Sequence, residues 1–128
     1  GHEGLFAAEH RFFKKFPNFL PTKTSTPIRA GHLGRLVAAI HATPPRVVLV
    51  LTGGGSNALA DLLAVPGASR TVLEAVVPYS EGAMIDFLGG RPDRFCSPQT
   101  ARAMAMAAFH RALRYGGGND ANAGISCT

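Results

Sequence analysis

The sequence predicts an α/β fold, a three-layer sandwich with helices on both faces of a mostly parallel or mixed sheet. The apolar, largely β-branched run at residues 47–51 (VVLVL) is typical of a central strand buried on both faces. A glycine-rich turn at 52–56 and a helical stretch follow it directly, which is the first half of an α/β unit. A second strand-like run at 71–78 is again followed by a helical stretch.

Capping and breaker residues define the individual elements. Pro44-Pro45 ends a helix whose apolar residues recur at helical spacing, and Ser97-Pro98 is a strong helix start because serine caps and proline suits the first helical position. Ser80 is expected to cap another helix. These signals predict helices over 28–43, 58–64, 80–88 and 98–115, and strands over 47–51, 71–78 and from 125 onward.

Two regions are predicted, a basic arm over 1–27 and an α/β domain over 28–128. The whole net charge of +5 lies in residues 1–47, because the rest of the chain has as many acidic as basic residues. The bases there are Arg11, Lys14, Lys15, Lys23, Arg29, Arg35 and Arg46, against the acids Glu3 and Glu9.

The arm also carries five phenylalanines, and such side chains need burial. They are Phe6, Phe12, Phe13, Phe16 and Phe19. We expect residues 1–27 to dock on a larger protein or ribonucleoprotein complex, with RNA, a membrane surface or an acidic protein as the acidic partner. A solvated tail is the alternative.

Composition excludes several classes of protein. A chain that is 46% hydrophobic and 16% charged can form a packed core. No apolar run approaches the ~20 residues that cross a bilayer. The two cysteines lack CxxC spacing and the five histidines are scattered, so we expect no disulfide framework, no metal centre and no cofactor. The low cysteine content fits a reducing compartment such as the cytoplasm or an organelle matrix. Because the sequence stops as a strand begins, we expect further chain after Thr128.

The glycine turn is the best local candidate for ligand binding. Its members are Thr52, Gly53, Gly54, Gly55 and Ser56. Free backbone N–H groups before a helix can hold a phosphate, although the turn matches neither a P-loop nor GxGxxG. A tight strand-to-helix turn without a ligand is the alternative.

Polar residues after the second predicted strand form another candidate site. Tyr79 could donate a hydrogen bond and Glu81 could act as a base at the sheet edge where α/β folds bind ligands, or both could merely cap a helix. Glu74 interrupts an apolar strand, so a buried carboxyl there must be paired or protonated.

The order of these motifs resembles the C-terminal domain of CinA, the nicotinamide-nucleotide amidohydrolase family. The matching segments are TGGGS at 52–56, VPGAS at 65–69, VVPYS at 76–80, LG at 88–89 and ARAMA at 101–105. Their spacing agrees without gaps from the glycine turn to Tyr79. The stretch IHATP at 40–44 is similar to the CinA-like half of plant and algal proteins that also carry a nucleotidyltransferase-like domain.

The resemblance implies cleavage of the carboxamide of nicotinamide mononucleotide, with release of ammonia. In the family a serine is the nucleophile and a tyrosine and a lysine assist it. The serine falls on Thr52, the tyrosine on Tyr79 and the lysine on Met84, which cannot accept a proton. Thr52 and Tyr79 are therefore the candidate catalytic residues, and Gly53, Gly54, Gly55 and Ser56 the candidate ligand-binding residues.

Three functions remain open at this point. The chain is an amidohydrolase with an altered catalytic group, a degenerate domain that binds a nucleotide or phosphate, or a non-catalytic structural subunit of a larger assembly. The third is favoured, because it accounts for both the missing lysine and the basic arm. An RNA-containing, organellar assembly is one setting that suits such an arm.

Overall fold

The computed structural model describes residues 31–118 and 121–128. The elements are, in chain order, α1 (His32–His41), β1 (Arg46–Leu51), α2 (Ser56–Ala64), a 3₁₀ turn (Ala68–Arg70), β2 (Val72–Val76), α3 (Glu81–Leu88), α4 (Pro98–Tyr115) and β3 (Asn122–Cys127). The arm predicted over 1–27 lies outside the described residues.

The three described strands form one parallel sheet in the order β2-β1-β3. The predicted α/β fold is thus confirmed, with β1 at the centre, where an apolar strand is expected. All five residues from Val47 to Leu51 are buried. Since the strands are parallel, their carboxyl ends lie at the same edge of the sheet.

One face of the sheet carries the main core. Val48 and Val50 of β1, both fully buried, point toward α3 and α4. The remaining members of this cluster are Met84, Met104, Ala108 and Ala112, with Leu73, Phe87, Leu88 and Phe95 packed at its border. Alanine at two of the α4 positions lets the helix lie close to the strands.

Contact between α4 and β3 is especially close at Gly124. A Cβ atom there would overlap backbone atoms of Ala105 and Phe109. Strand β3 begins at Asn122, three residues before the predicted start at 125, because Asn122 already pairs with Arg46 of β1. The residues 122–124 (NAG) have low strand propensity, yet they pair with β1.

On the opposite face, α1 and α2 are connected through the buried side chain of His41. Its Nε2 lies 2.9 Å from the carbonyl oxygen of Leu62, and its Nδ1 lies 2.7 Å from the hydroxyl of Thr71. Because a carbonyl only accepts hydrogen bonds, Nε2 carries the proton and, in the neutral ring, Nδ1 accepts from Thr71. His41 thereby joins the end of α1 to α2 and to the start of β2.

The predicted helix caps are present. Ser80 Oγ accepts from the backbone N–H of Ala83 at 3.2 Å, and Ser97 Oγ accepts from that of Thr100 at 3.1 Å, with Pro98 opening α4. Strand β2 ends at Val76, two residues before its predicted end, and α1 starts at His32.

Glu74, the acid in the apolar strand, is paired. Val47 of β1 pairs with Val72 and Val48 pairs with Glu74, so Leu73 between them has no partner on β1. Because of this extra residue, Leu73 and Glu74 both face α4. There the Glu74 carboxylate accepts two hydrogen bonds from Arg111, one of them 2.7 Å long from Nε. The hydrogen bonds from Arg111 lower the pKa of Glu74, and burial opposes this only in part.

Candidate functional site

A cavity of about 410 Å³ opens at the carboxyl edge of the sheet. It is lined by Thr52, Gly53, Tyr79, Glu81, Met84, Phe95, Cys96 and Thr128. Thr52 follows β1, Tyr79 follows β2 and Thr128 follows β3, so each strand contributes one hydroxyl-bearing residue. This edge is where open α/β sheets bind their ligands.

A chain of hydrogen bonds runs across the floor of the cavity. Thr128 Oγ1 lies 3.3 Å from the carbonyl oxygen of Phe95, and Thr52 Oγ1 lies 2.8 Å from Thr128 Oγ1. The carbonyl can only accept, so the Thr128 hydroxyl donates to it and the Thr52 hydroxyl donates to Thr128. The proton of Thr52 therefore points toward another hydroxyl, and the chain ends at a backbone carbonyl.

The glycine turn places only part of its predicted ligand-binding set against the cavity. Gly53 lies in the lining, with the backbone of Thr128 so close that a Cβ on Gly53 would stand 3.0 Å from its carbonyl carbon. Gly54, Gly55 and Ser56 are outside the lining. Gly55 has φ +89°, a left-handed conformation that favours glycine, and it begins α2.

At the rim, Tyr79 and Glu81 extend toward solvent. Tyr79 is 81% exposed, and its ring forms one side of the cavity mouth. The Glu81 carboxylate accepts a hydrogen bond of 3.3 Å from Arg91, whose guanidinium lies 5.3 Å from the centre of the Phe95 ring. Glu81 thus has a partner at the surface, as well as its place in the first turn of α3.

Met84, the position where the resemblance implies a lysine, is 3% exposed and belongs to the core cluster. It also lines the cavity. The structure therefore brings together Thr52, Gly53, Tyr79 and Met84, which the sequence singled out from separate motifs.

Sequence reasoning missed Phe95 and Cys96, and it treated Thr128 only as the residue after which further chain is expected. Thr52 and Thr128 are 76 positions apart, and the pairing of Leu51 with Cys127 is what makes them neighbours. A sequence signal for this contact exists only once β3 is known to pair with β1. Phe95 and Cys96 lie in the α3–α4 connection, which has no strong pattern.

A second, larger cavity of about 580 Å³ lies beside the start of α4. It shares Cys96 with the first cavity but contains none of the predicted site residues. The smaller cavity is the candidate site, because it collects the polar groups at the sheet edge. Cys96 and Cys127 are both free thiols.

Within residues 31–118 and 121–128, no three or more His, Cys, Asp or Glu side chains are arranged to hold a metal ion. In the same part of the chain, no helix combines the length and apolar character required to cross a membrane.

Comparison with solved structures identifies a similar protein. The crystal structure of competence/damage inducible protein CihA from Agrobacterium tumefaciens matches with a TM-score of 0.51 and 26% sequence identity. The match covers 62% of this chain and 52% of that protein. The chain has a CinA-like fold. It spans about half the length of that structure, and no family model and no curated protein matches it.

Proposed function

We propose that this CinA-like domain is a non-catalytic structural or interaction subunit of a larger assembly. The observation that supports it most directly is the hydrogen-bond chain from Thr52. A threonine hydroxyl is a weak nucleophile unless a neighbouring base takes its proton. Here the proton of Thr52 is directed at Thr128, whose own proton is held by the carbonyl of Phe95, and neither group is a base.

Met84 and Glu81 do not supply the missing base in this arrangement. Met84 is buried where the family resemblance implies a lysine, and a thioether does not accept a proton at neutral pH. Glu81 is hydrogen-bonded to Arg91 at the rim rather than to Thr52. The cavity therefore contains the hydroxyl and the tyrosine that the resemblance implies, and neither Met84 nor Glu81 is arranged to activate the hydroxyl.

The basic, phenylalanine-rich segment 1–27 supports the interaction part of the proposal, on sequence grounds alone. Its mixture of cationic and aromatic residues suits a ribonucleoprotein or an acidic protein partner. We propose that this segment attaches the domain to the larger assembly.

The catalytic question is tested by ammonia release from nicotinamide mononucleotide. The purified chain is compared with Thr52→Ala and with the control Thr43→Ala. The Thr43 hydroxyl donates to the carbonyl of Ile40 at an exposed position before β1, whereas the cavity lies after β1 and is not lined by Thr43. We expect no turnover from any of the three folded proteins. Turnover that disappears in Thr52→Ala and persists in Thr43→Ala would establish an amidohydrolase and refute the non-catalytic assignment.

The interaction part is tested separately with a single-stranded RNA oligonucleotide and the full chain, against a variant in which Arg11, Lys14 and Lys15 are glutamine. If RNA is the partner, affinity should fall steeply with salt in the parent and be weaker and less salt-dependent in the variant. Equal, salt-insensitive binding by both proteins would remove RNA as the partner of the arm.

A second candidate function, small-molecule binding without turnover, is favoured by the cavity itself. A volume of about 410 Å³ lies in the range of small-ligand sites. Nicotinamide mononucleotide, or another nucleotide, is the ligand class that the resemblance suggests.

A further inference from the structure

We propose that the cavity binds an aromatic compound that donates hydrogen bonds and carries no anionic group, and that it discriminates against phosphates and carboxylates. This inference rests on the second candidate function, binding in the cavity, but it replaces the nucleotide suggested by the resemblance with a ligand that has no phosphate. It does not depend on whether the domain turns a substrate over.

The charge of the lining is the first argument. Among the side chains of the eight lining residues there is one carboxylate, that of Glu81, and no lysine, arginine or histidine. The basic side chain at the rim, Arg91, is engaged by Glu81 and lies over the Phe95 ring. Within the part of the chain that the structure describes, an anionic ligand would meet a carboxylate and no lining cation, whereas phosphate sites typically supply Arg, Lys or converging N–H groups.

The glycine turn does not replace the missing cation. The N–H of Thr52 is already bonded to the carbonyl of Cys127 at 2.9 Å, as part of the extension of the sheet. The backbone of Thr128 closes over Gly53. The start of α2, with its free N–H groups, lies outside the lining, so the anion-binding end of that helix is not directed into this cavity.

Hydrogen-bond polarity at the floor is the second argument. The protons of Thr52 and Thr128 are both committed within the chain that ends at Phe95. What Thr52 Oγ1 offers a ligand is lone pairs, and Glu81 likewise offers carboxylate oxygens. Both groups require a ligand that donates, such as a carboxamide NH₂ or an amine, and both disfavour one that only accepts.

The apolar part of the lining indicates a ring. Met84 and Phe95 provide an apolar wall, and the exposed Tyr79 ring stands at the mouth. Thioether sulfur and aromatic faces pack well against a planar aromatic ligand. The cavity therefore combines a surface for a ring with acceptors for its donor group.

Two matched ligand pairs test the proposal in the full chain by titration monitored with amide NMR spectra. Benzamide carries a hydrogen-bond-donating carboxamide where benzoate carries a carboxylate. Nicotinamide riboside and nicotinamide mononucleotide differ by one phosphate. We expect the first member of each pair to bind about tenfold more tightly and to shift amide signals of Gly53, Tyr79, Met84 and Thr128. Tighter binding of benzoate or of the phosphorylated compound would overturn the proposal, as would the absence of cavity shifts with all four compounds.

Removing the rim carboxylate adds a matched pair of variants. Glu81→Gln should reduce the discrimination between benzamide and benzoate by about threefold to fivefold, because the like-charge repulsion is lost. Asp86→Asn removes the same charge from an exposed position of α3 outside the lining and should leave the discrimination unchanged. Equal effects of both variants would refute the role of Glu81. Ammonia release is measured in parallel, so a failure of the non-catalytic assignment appears as turnover, independently of the binding preference.

Discussion

The carboxylate of Glu74 on β2 accepts two hydrogen bonds from the guanidinium of Arg111 on α4. The two side chains are 26% and 31% exposed, and Arg111 also lies over the rings of Phe87 and Tyr115, 5.9 Å from each ring centre. The pair thus joins the edge strand to the long helix across the border of the core. The contribution of this ion pair to the free energy of unfolding should therefore depend on pH.

Glu74→Gln should lower the free energy of unfolding by about 1–2 kcal/mol at pH 7. The folded-state pKa of Glu74 is lowered from its ordinary value of 4.5, so the stabilisation is present above that pH and is lost as pH falls through the folded-state pKa. Urea unfolding of parent and variant from pH 7 to pH 3 should show the two curves converging at acid pH. The control Glu81→Gln, which removes a far more exposed pair with Arg91, should change stability by less than about 0.5 kcal/mol. A constant difference at every pH would contradict the prediction.

Replacing His41 should be much more damaging than replacing the histidine at the other end of the same helix. His41→Ala removes two hydrogen bonds and leaves a cavity at a position that is 1% exposed, so we expect a loss of about 2–4 kcal/mol. His32 is exposed at the start of α1, and His32→Ala should change stability by about 0.5 kcal/mol or less. Thermal unfolding measures both, and similar midpoints for the two variants would show that the His41 contacts are unimportant.

Replacing glycine with alanine should have opposite effects on the free energy of unfolding at two positions. Gly124→Ala should destabilise by about 1–3 kcal/mol or more, because its Cβ would overlap the backbone of Ala105 and Phe109. Gly82 lies within α3 with open space around it, so Gly82→Ala should stabilise by about 0.5–1 kcal/mol. Chemical denaturation distinguishes them, and a neutral Gly124→Ala would mean that α4 and β3 are not packed as described.

Met84→Lys tests whether the absent lysine accounts for the inactivity that we propose. If the missing amine is the reason, this variant should release ammonia from nicotinamide mononucleotide, and adding Thr52→Ala should abolish the release. Burying the lysine stem at a position that is 3% exposed will lower stability, so circular dichroism and the unfolding midpoint must show a folded protein. Met84→Leu, which keeps the apolar volume, is the matched control and should remain inactive. A folded lysine variant without turnover would place the cause of inactivity elsewhere in the cavity.

Local signals predicted the parts of this fold that depend on neighbouring residues. The apolar β1 run, the caps at Ser80 and Ser97, and the helix end at Pro44 all lie close to where the sequence put them, because propensity and capping act over a few residues. The start of β3 was missed because Asn122 and Gly124 have low strand propensity and join the strand only through pairing with β1. Glycine at 124 also allows the α4 backbone to lie close to the strand. The Glu74–Arg111 pair could not be predicted either, since its partners come from separate elements.

The residues of the candidate site were likewise predicted only where a local motif marks them. Thr52 and Tyr79 were found from motifs, and the structure places both in one cavity. Thr128 was missed as a hydrogen-bond partner because its contact with Thr52 depends on the register of a distant strand. The direction of that hydrogen bond, which decides what the hydroxyl can do, depends on the carbonyl of Phe95 in a loop without any pattern.

Because β1 lies between two parallel neighbours, the cavity can form only late during synthesis of the chain. Residues 52 and 53 emerge from the ribosome early, but their floor partner at 128 follows β3, and β3 cannot pair until α4 has crossed the sheet. A nascent chain that ends before β3 can have β1, β2 and the four helices α1 to α4 in place and still lack the cavity. Ligand binding would therefore report that β3 has joined the sheet, since contacts of such long sequence separation form late.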